Sequence, residues 1–460
     1  MTACQFAPDM IWGAATAAYQ IEGAVREGGR LLSIWDTFAH TPGRVTGGDT
    51  GDVACDHYHR WQDDVDLMSE LGLNAYRFSL AWGRVVDAAG RPNQAGIDFY
   101  SRLVDALLEH DITPVVTLYH WDLPQHIDDD GGWLNRDTAS RFAAYAEVAA
   151  RSLGDRVDRW TTLNEPWCSA FLGYASGEHA PGHRSPGESL RAAHHLNLAH
   201  GMGVQAIRAN TSGVDVSVVC NLHAIEPATD SPDDVAAALR LRRVGNDIWT
   251  GPILEGHYPS GLFEDTAAYS DWSFIQLDDL QIIHQPIDSL GVNYYSSSRV
   301  AAGSDTLAQH LAAGGKPTCW VADNVTFLPA SGPLTAMGWN IDPAALTRLL
   351  VEVGNRWPDL PLFISENGAA FDDVLTANGC VHDAQRIRYL DAHLRAVHDA
   401  MDAGVNVTGY FVWSLLDNFE WAFGYSRRFG VAYTDYKTQA RLPKDSFRWY
   451  ADVIAQGGLD

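Results

Sequence analysis

Eight short apolar runs recur along this chain, each separated from the next by longer stretches, and that alternation constrains the fold more than any other feature. The runs cover residues 11–16, 75–80, 114–119, 159–164, 215–222, 289–294, 361–366 and 407–414. Rich in aliphatic and aromatic residues, they have the near-continuous apolar character of strands covered on both faces of a parallel sheet. Between them, residues 58–71, 94–109, 139–153, 189–208, 343–353 and 384–403 carry apolar side chains at helical spacing. Strands alternating with helices over 460 residues predict an α/β fold, a single (β/α)8 TIM barrel domain spanning residues 1–460 with extended loops on its C-terminal face. A doubly wound sheet is the alternative. It needs a glycine-rich phosphate turn after the first strand, and Gly13-Ala14-Ala15-Thr16 lacks that spacing. Residues 301–340, rich in Gly, Ala and Pro, show neither pattern and read as a long, poorly structured binding loop or lid.

Composition narrows the function. Hydrophobic residues make up 46% of the chain without a linker, repeat or compositional seam, which suits one large core. Lys and Arg number 32 against 58 Asp and Glu, and the resulting charge of −26 repels nucleic acid and anionic membrane surfaces. No window approaches the ~20 apolar residues of a membrane span, and the first residues lack the basic start and apolar core of a secretory signal. Six cysteines (Cys4, Cys55, Cys168, Cys220, Cys319, Cys380) include no CxxC pair. Free thiols in a reducing compartment follow, so the chain is expected to be soluble and cytoplasmic.

Chemistry collects where the predicted strands end. In Trp160-Thr161-Thr162-Leu163-Asn164-Glu165-Pro166 the proline cannot donate to a ladder, so the strand stops where Glu165 emerges. Leu362-Phe363-Ile364-Ser365 ends likewise in Glu366-Asn367-Gly368. The C-terminal strand ends of a parallel barrel converge on one face, where two glutamates far apart in sequence can confront each other across a pocket. Facing carboxylates are what glycosidic bond cleavage requires. The other strand ends lead to Gln20, Arg77, Tyr119-His120-Trp121, Asn293-Tyr294-Tyr295 and Trp413, with Glu420-Trp421 shortly after. Amides, imidazole and carboxylate hydrogen-bond hydroxyls, while tryptophan faces stack on the C–H side of a pyranose. Taken singly, each has a blander reading as surface carboxylate, core tryptophan or satisfied core histidine. His57-Tyr58-His59 and His194-His195 have no ligand partner at a fixed offset and read as structural, and glycosidic cleavage by two carboxylates implies no metal or organic cofactor.

The ordered set is far more specific than its members. Together with Trp12-Gly13-Ala14-Ala15-Thr16, Gln20-Ile21-Glu22-Gly23, Tyr76-Arg77-Phe78-Ser79, His120-Trp121-Asp122-Leu123-Pro124 and the segment from Trp413 to Trp421, these motifs give a chain that resembles, end to end, the β-glucosidases of glycoside hydrolase family 1. The resemblance implies a retaining β-glycosidase acting on terminal β-D-glucosyl residues of short oligosaccharides such as cellobiose and of aryl glycosides, with β-galactosyl and β-fucosyl residues also in range. It implies that Glu366 is the nucleophile, that Glu165 is the acid and then the base, and that Arg77 and Tyr295 keep Glu366 charged. It further implies sugar contacts from Gln20, His120, Trp121, Asn164, Asn293, Tyr295, Glu420, Trp421 and Phe429, with Trp413 as stacking floor and Trp339 and the loop preceding it on the aglycone side. Phosphosugar-cleaving relatives carry small and basic residues where Glu420-Trp421 stands here, and thioglucosidase relatives replace the glutamate at Glu165, so neither activity is expected. A sugar-binding protein that has lost turnover, a preparative transglycosylase and a metal-dependent isomerase on the same barrel are the rival readings. The natural aglycone, and whether the chain is a monomer or a homo-oligomer, stay open.

Overall fold

The computed structural model describes residues 4–312 and 318–460. Its centre is a closed barrel of eight strands, β1 (Ile11–Ala15), β2 (Ala75–Ser79), β3 (Thr113–Tyr119), β4 (Arg159–Asn164), β5 (Asp215–Cys220), β6 (Ser289–Tyr294), β7 (Leu362–Asn367) and β8 (Val407–Trp413). Each pairs in parallel with the next, and β8 closes on β1. A helix follows each strand in turn: α1 (His57–Leu71), α2 (Gln94–Glu109), α3 (Asp137–Leu153), α4 (Pro186–Asn210), α5 (Pro232–Arg242), α6 (Pro343–Arg356), α7 (Ala384–Asp402) and α8 (Asp445–Gln456). All eight expected strands are present, each within two residues of its predicted ends.

Local sequence explains most of this. Helix α2 buries Ile97, Tyr100, Leu103, Val104 and Leu107, a stripe at three- and four-residue spacing that packs onto the barrel. At α6, the Asp342 side chain accepts from the Ala345 N–H and Pro343 occupies the first turn, where its missing N–H costs nothing. Gly13 on β1 is required by its neighbour strand, because a Cβ there would lie 2.2 Å from the Phe411 ring. Helices α5 and α8 were not legible as helices. The buried face of α5 is only Ala237, Ala238 and Leu241, too small a stripe to stand out from the sequence.

The paired histidines are structural. His57 Nδ1 meets Asp64 at 2.7 Å, and His194 sits between Tyr258 and Asp279, 2.8 and 2.7 Å away. Helix α4 is buried on several sides, so its polar residues must find partners, and His195, Asn197 and His200 do so on Trp133, Ile248 and Thr162.

The expectation of a structureless loop over residues 301–340 needs correction. Strand Ser297–Ala302 runs into it, a short helix covers Leu307–Ala312, and strand Val325–Phe327 returns antiparallel to the first. The third strand of this small sheet is Ala224–Pro227, contributed from just beyond β5. Long-range pairing of this kind has no local signature, and residues 313–317 of the segment lie outside the described residues.

Candidate active site

The pairing of β4 with β5 continues one residue past the strand, through the Glu165 N–H to the Val219 carbonyl at 2.9 Å. The chain then turns sharply. Glu165 has φ +43° and its carbonyl accepts from Cys168 N–H at 2.9 Å, so the carboxylate is thrown over the top of the barrel by a left-handed residue ahead of Pro166. Trp121 (φ +75°) and Trp421 (φ +46°) leave their segments in the same unusual conformation. Non-glycine residues in this region cost about 1–2 kcal/mol each, and three of them gathered at one pocket mark a place where the surrounding structure dictates the backbone.

Strand β7 is pinned between its neighbours. Asn367 Nδ2 donates to the Tyr294 carbonyl of β6 at 2.6 Å, and Tyr410 of β8 donates to Asn367 Oδ1 at 2.7 Å. Gly368 lets the chain pass β8, since a Cβ there would stand 1.8 Å from the Trp413 carbonyl. The run Glu366-Asn367-Gly368 thus presents a carboxylate, anchors it on both sides and permits the close crossing beyond it.

The two glutamates receive opposite partners. Glu366 Oε1 accepts from Arg77 Nη1 at 2.6 Å and Oε2 from the Tyr295 hydroxyl at 2.7 Å. Glu165 has neutral donors only: Asn293 Nδ2 at 2.7 Å from Oε1 and Cys168 Sγ at 3.0 Å from Oε2. Asn164 ties the two halves together, its Oδ1 accepting from Arg77 at 2.7 Å and from Asn293 at 3.1 Å while its Nδ2 donates to His120 Nε2 at 3.0 Å. Trp121 Nε1 holds the Asn164 carbonyl at 2.9 Å, and Ser365 Oγ holds Asn293 Oδ1 at 2.6 Å.

These partners set the order of ionisation. Burial raises both carboxyls above the usual carboxylate range, and at Glu366 the guanidinium and phenol push back. Glu165, raised to about 7 by burial and then by the Glu366 charge, takes the proton when the pair is singly ionised. Burial also drives His120 well below its ordinary value and keeps the ring neutral.

Above the pair opens a cavity of about 980 Å³. His120, Trp121, Glu165, Asn293, Tyr295, Glu366, Trp413, Glu420, Trp421 and Phe429 all line it. The His120 ring stacks on Trp413 with centroids 5.9 Å apart, Trp421 packs on Trp121 at 4.6 Å, and Phe429 meets Tyr295 edge-on at 6.1 Å. Gln20, Arg77 and Asn164 are fully buried in the wall behind these groups and do not border the cavity. Gln20 Nε2 donates to Asn418 and to the Phe419 carbonyl, while Gln20 Oε1 and Glu420 Oε2 have no partner among the described residues. Burial and the charges of Glu366 and Glu165 raise Glu420 to about 8.

Sequence reasoning placed the segment before Trp339 on the outer, aglycone side but named none of its other residues, and it missed Trp167 and His223. Trp167, His223, Trp320 and Phe327 form a contiguous aromatic surface beyond Trp339, with Trp320 5.0 Å from Trp167 and 5.6 Å from Phe327. Trp320 and Phe327 come from the segment read as structureless. Cys168 was also missed, although its place three residues after Glu165 was a usable signal.

The profile of glycosyl hydrolase family 1 matches residues 2–459. The chain belongs to that family. A bifunctional β-D-glucosidase/β-D-fucosidase from Bifidobacterium breve is 51% identical over 98% of both chains. β-Glucosidase A from Thermotoga maritima is 44% identical over the full length of both. The structure of a Thermotoga maritima β-glucosidase in complex with deoxynojirimycin superposes with a TM-score of 0.93 at 44% identity, covering 99% of this chain and all of the other. This glycosyl hydrolase is therefore an enzyme acting on O-glycosyl bonds, built on the family's (β/α)8 barrel. Among its described residues no helix is long and apolar enough to cross a membrane.

Proposed function

We propose that this glycoside hydrolase is a retaining β-glucosidase, releasing terminal β-D-glucosyl residues from short oligosaccharides and aryl glycosides by double displacement through a covalent glycosyl-enzyme. The observation that carries the reading is the unequal surroundings of the two glutamates, a cation and a phenol on Glu366 but neutral donors on Glu165.

Glu366, ionised by Arg77 and Tyr295, attacks the anomeric carbon as Glu165 passes its proton to the departing glycosidic oxygen. Esterification removes the charge on Glu366, and with it one of the causes that raise Glu165. Glu165 then ionises and takes a proton from the water that attacks the same carbon, so configuration is retained. No metal or organic cofactor enters these steps.

For the bound sugar, Trp413 provides the stacking floor, and Gln20, His120, Trp121, Asn293, Glu420 and Trp421 surround the hydroxyls with Phe429 closing the pocket. When the sugar binds, Asn164 Nδ2 exchanges His120 Nε2 for the 2-hydroxyl, where hydrogen bonds strengthen in the transition state. The unpartnered oxygens of Gln20 and Glu420 support this part of the reading, because a buried polar atom left without a partner costs about 1–3 kcal/mol and sugar hydroxyls, which both donate and accept, relieve it. β-Fucosyl and β-galactosyl residues fall in range, since Glu420 can hydrogen-bond both the 4- and the 6-hydroxyl, the positions at which these sugars differ from glucose. Aglycones rest against Trp339 and the aromatic surface of Trp167, Trp320 and Phe327. The whole chain serves as one catalytic domain, and the free thiols of Cys55, Cys168, Cys220, Cys319 and Cys380 suit the cytoplasm.

The test is a panel of nitrophenyl glycosides with one leaving group. Fast turnover of the β-glucoside, with slower β-galactoside and β-fucoside and none of the α-glucoside or the 6-phosphate, is the expected outcome. Turnover confined to the 6-phosphate would reverse the assignment of Glu420.

A further inference from the structure

We propose that Cys168 is a positioning residue for Glu165: its thiol holds Oε2 of that carboxyl and sets the pH at which Glu165 releases its proton. The inference rests on the acid/base reading of Glu165 given above.

Geometry places the thiol there by construction. The turn closed by Cys168 N–H on the Glu165 carbonyl folds the cysteine back over the carboxyl, and Sγ lies 3.0 Å from Oε2. Both residues are buried, at 6% and 5% exposure, so the contact is little screened. A carboxylate only accepts, so the S–H donates when Glu165 is ionised. Burial and the Glu165 charge hold the thiol well above its ordinary value, and it stays a donor throughout the working pH range. Asn221 Nδ2 reaches the same sulfur at 3.5 Å and polarises the S–H toward Glu165.

The thiol differs from the other partner of Glu165 in one respect. Asn293 Nδ2, on Oε1, is a donor in every protonation state, whereas a thiol rotates about its Cβ–Sγ bond and can also accept. Sγ therefore donates to the carboxylate and accepts from the neutral carboxyl, following the proton as Glu165 changes from acid to base. The other titratable groups facing Glu165 are Glu366 from β7, Arg77 from β2, Cys220 from β5, Tyr295 after β6 and Glu420 after β8. Their charges set the range in which Glu165 titrates, and the thiol adjusts the value within it.

The experiment is the pH dependence of kcat/KM for cellobiose, whose poor leaving group demands the acid, in wild type, Cys168→Ala and Cys168→Ser. Loss of a donor to the carboxylate raises the alkaline limb by about half to one pH unit in Cys168→Ala. Serine, also a rotating donor and acceptor, keeps the limb at or below the wild-type position, and Asn221→Ala moves it up by less than Cys168→Ala does. An unmoved limb in Cys168→Ala overturns the proposal, as does a raised limb in Cys168→Ser, which remains decisive if the alanine variant fails to fold. Glu165→Ala separates the two levels. Equal losses on cellobiose and on nitrophenyl glucoside would remove the acid role of Glu165 itself. A much larger loss on cellobiose, combined with an unmoved limb in Cys168→Ala, removes only the role of Cys168.

Discussion

Glu165 and Glu366 are the same side chain, and everything that distinguishes them lies within hydrogen-bonding distance. Arg77 and Tyr295 hold the charge on Glu366, while Asn293 and Cys168 leave Glu165 free to carry a proton near neutral pH. Glu366→Ala should therefore reduce turnover of all substrates by roughly 10⁴-fold or more, because no other group can form the covalent intermediate. External azide should restore turnover and yield the α-glucosyl azide, identified by NMR. Azide rescue yielding only the β-anomer, or an unreduced rate, would show that Glu366 is not the nucleophile. The pairing of Arg77 and Tyr295 with Glu366 could be anticipated from the motifs. Asn164 bridging both halves from behind the cavity wall could not, because a strand-end amide shows no sign in sequence of which neighbours it will meet.

At the scale of elements, the site depends on how closely β7 and β8 cross. The 1.8 Å approach that a Cβ at Gly368 would make to the Trp413 carbonyl is a clash of side chain with backbone, which no rotamer change relieves. Gly368→Ala should destabilise the protein by about 1–3 kcal/mol, measured by denaturant titration, and should displace both Glu366 and Trp413. Wild-type stability with wild-type kcat in this variant would mean that the crossing is not as tight as the structure shows. The small sheet of Ala224–Pro227, Ser297–Ala302 and Val325–Phe327 acts on the other side of the pocket. It carries Phe327 and the preceding Trp320 to the cavity mouth, and its strands are too short and too exposed to have been recognised from alternation alone.

For the whole molecule, buried titratable groups bound the pH range of stability on both sides. His179, His200 and His223 are lowered by burial from 6.5 to about 3, and His195 and His393 to about 4. Groups kept neutral in the folded state contribute full stability above 6.5 and lose it as pH falls toward those values, on the order of 2 kcal/mol per fully buried ring by pH 5. Glu165 and Glu420 act in the opposite sense. Raised from 4.5 to about 7 and 8, they favour the folded state when protonated, and that contribution disappears as pH rises through those values. Calorimetry should show Tm falling from near neutrality in both directions. Glu420→Gln should raise Tm at pH 9 by more than at pH 5 while losing activity, a trade of function for stability. An equal effect at the two pH values would mean that Glu420 is not the group titrating.

The sequence by itself determined the barrel and its two carboxylates, because short apolar runs, helical stripes and a proline after Glu165 act over a few residues and leave a periodic trace. It also pointed to His120, Trp121, Asn293, Trp413, Glu420 and Trp421, which line the cavity, since each lies at or shortly after a strand end and the ends of parallel barrel strands must share a face. Which glutamate keeps the proton was implied by the family resemblance, and only the tertiary structure decided the contacts that enforce that choice. That choice depends on a guanidinium from β2 and a phenol from beyond β6 reaching one carboxylate, while an amide and a thiol reach the other. Burial and Coulombic coupling depend on distances in space between residues remote in sequence, and no local pattern encodes them.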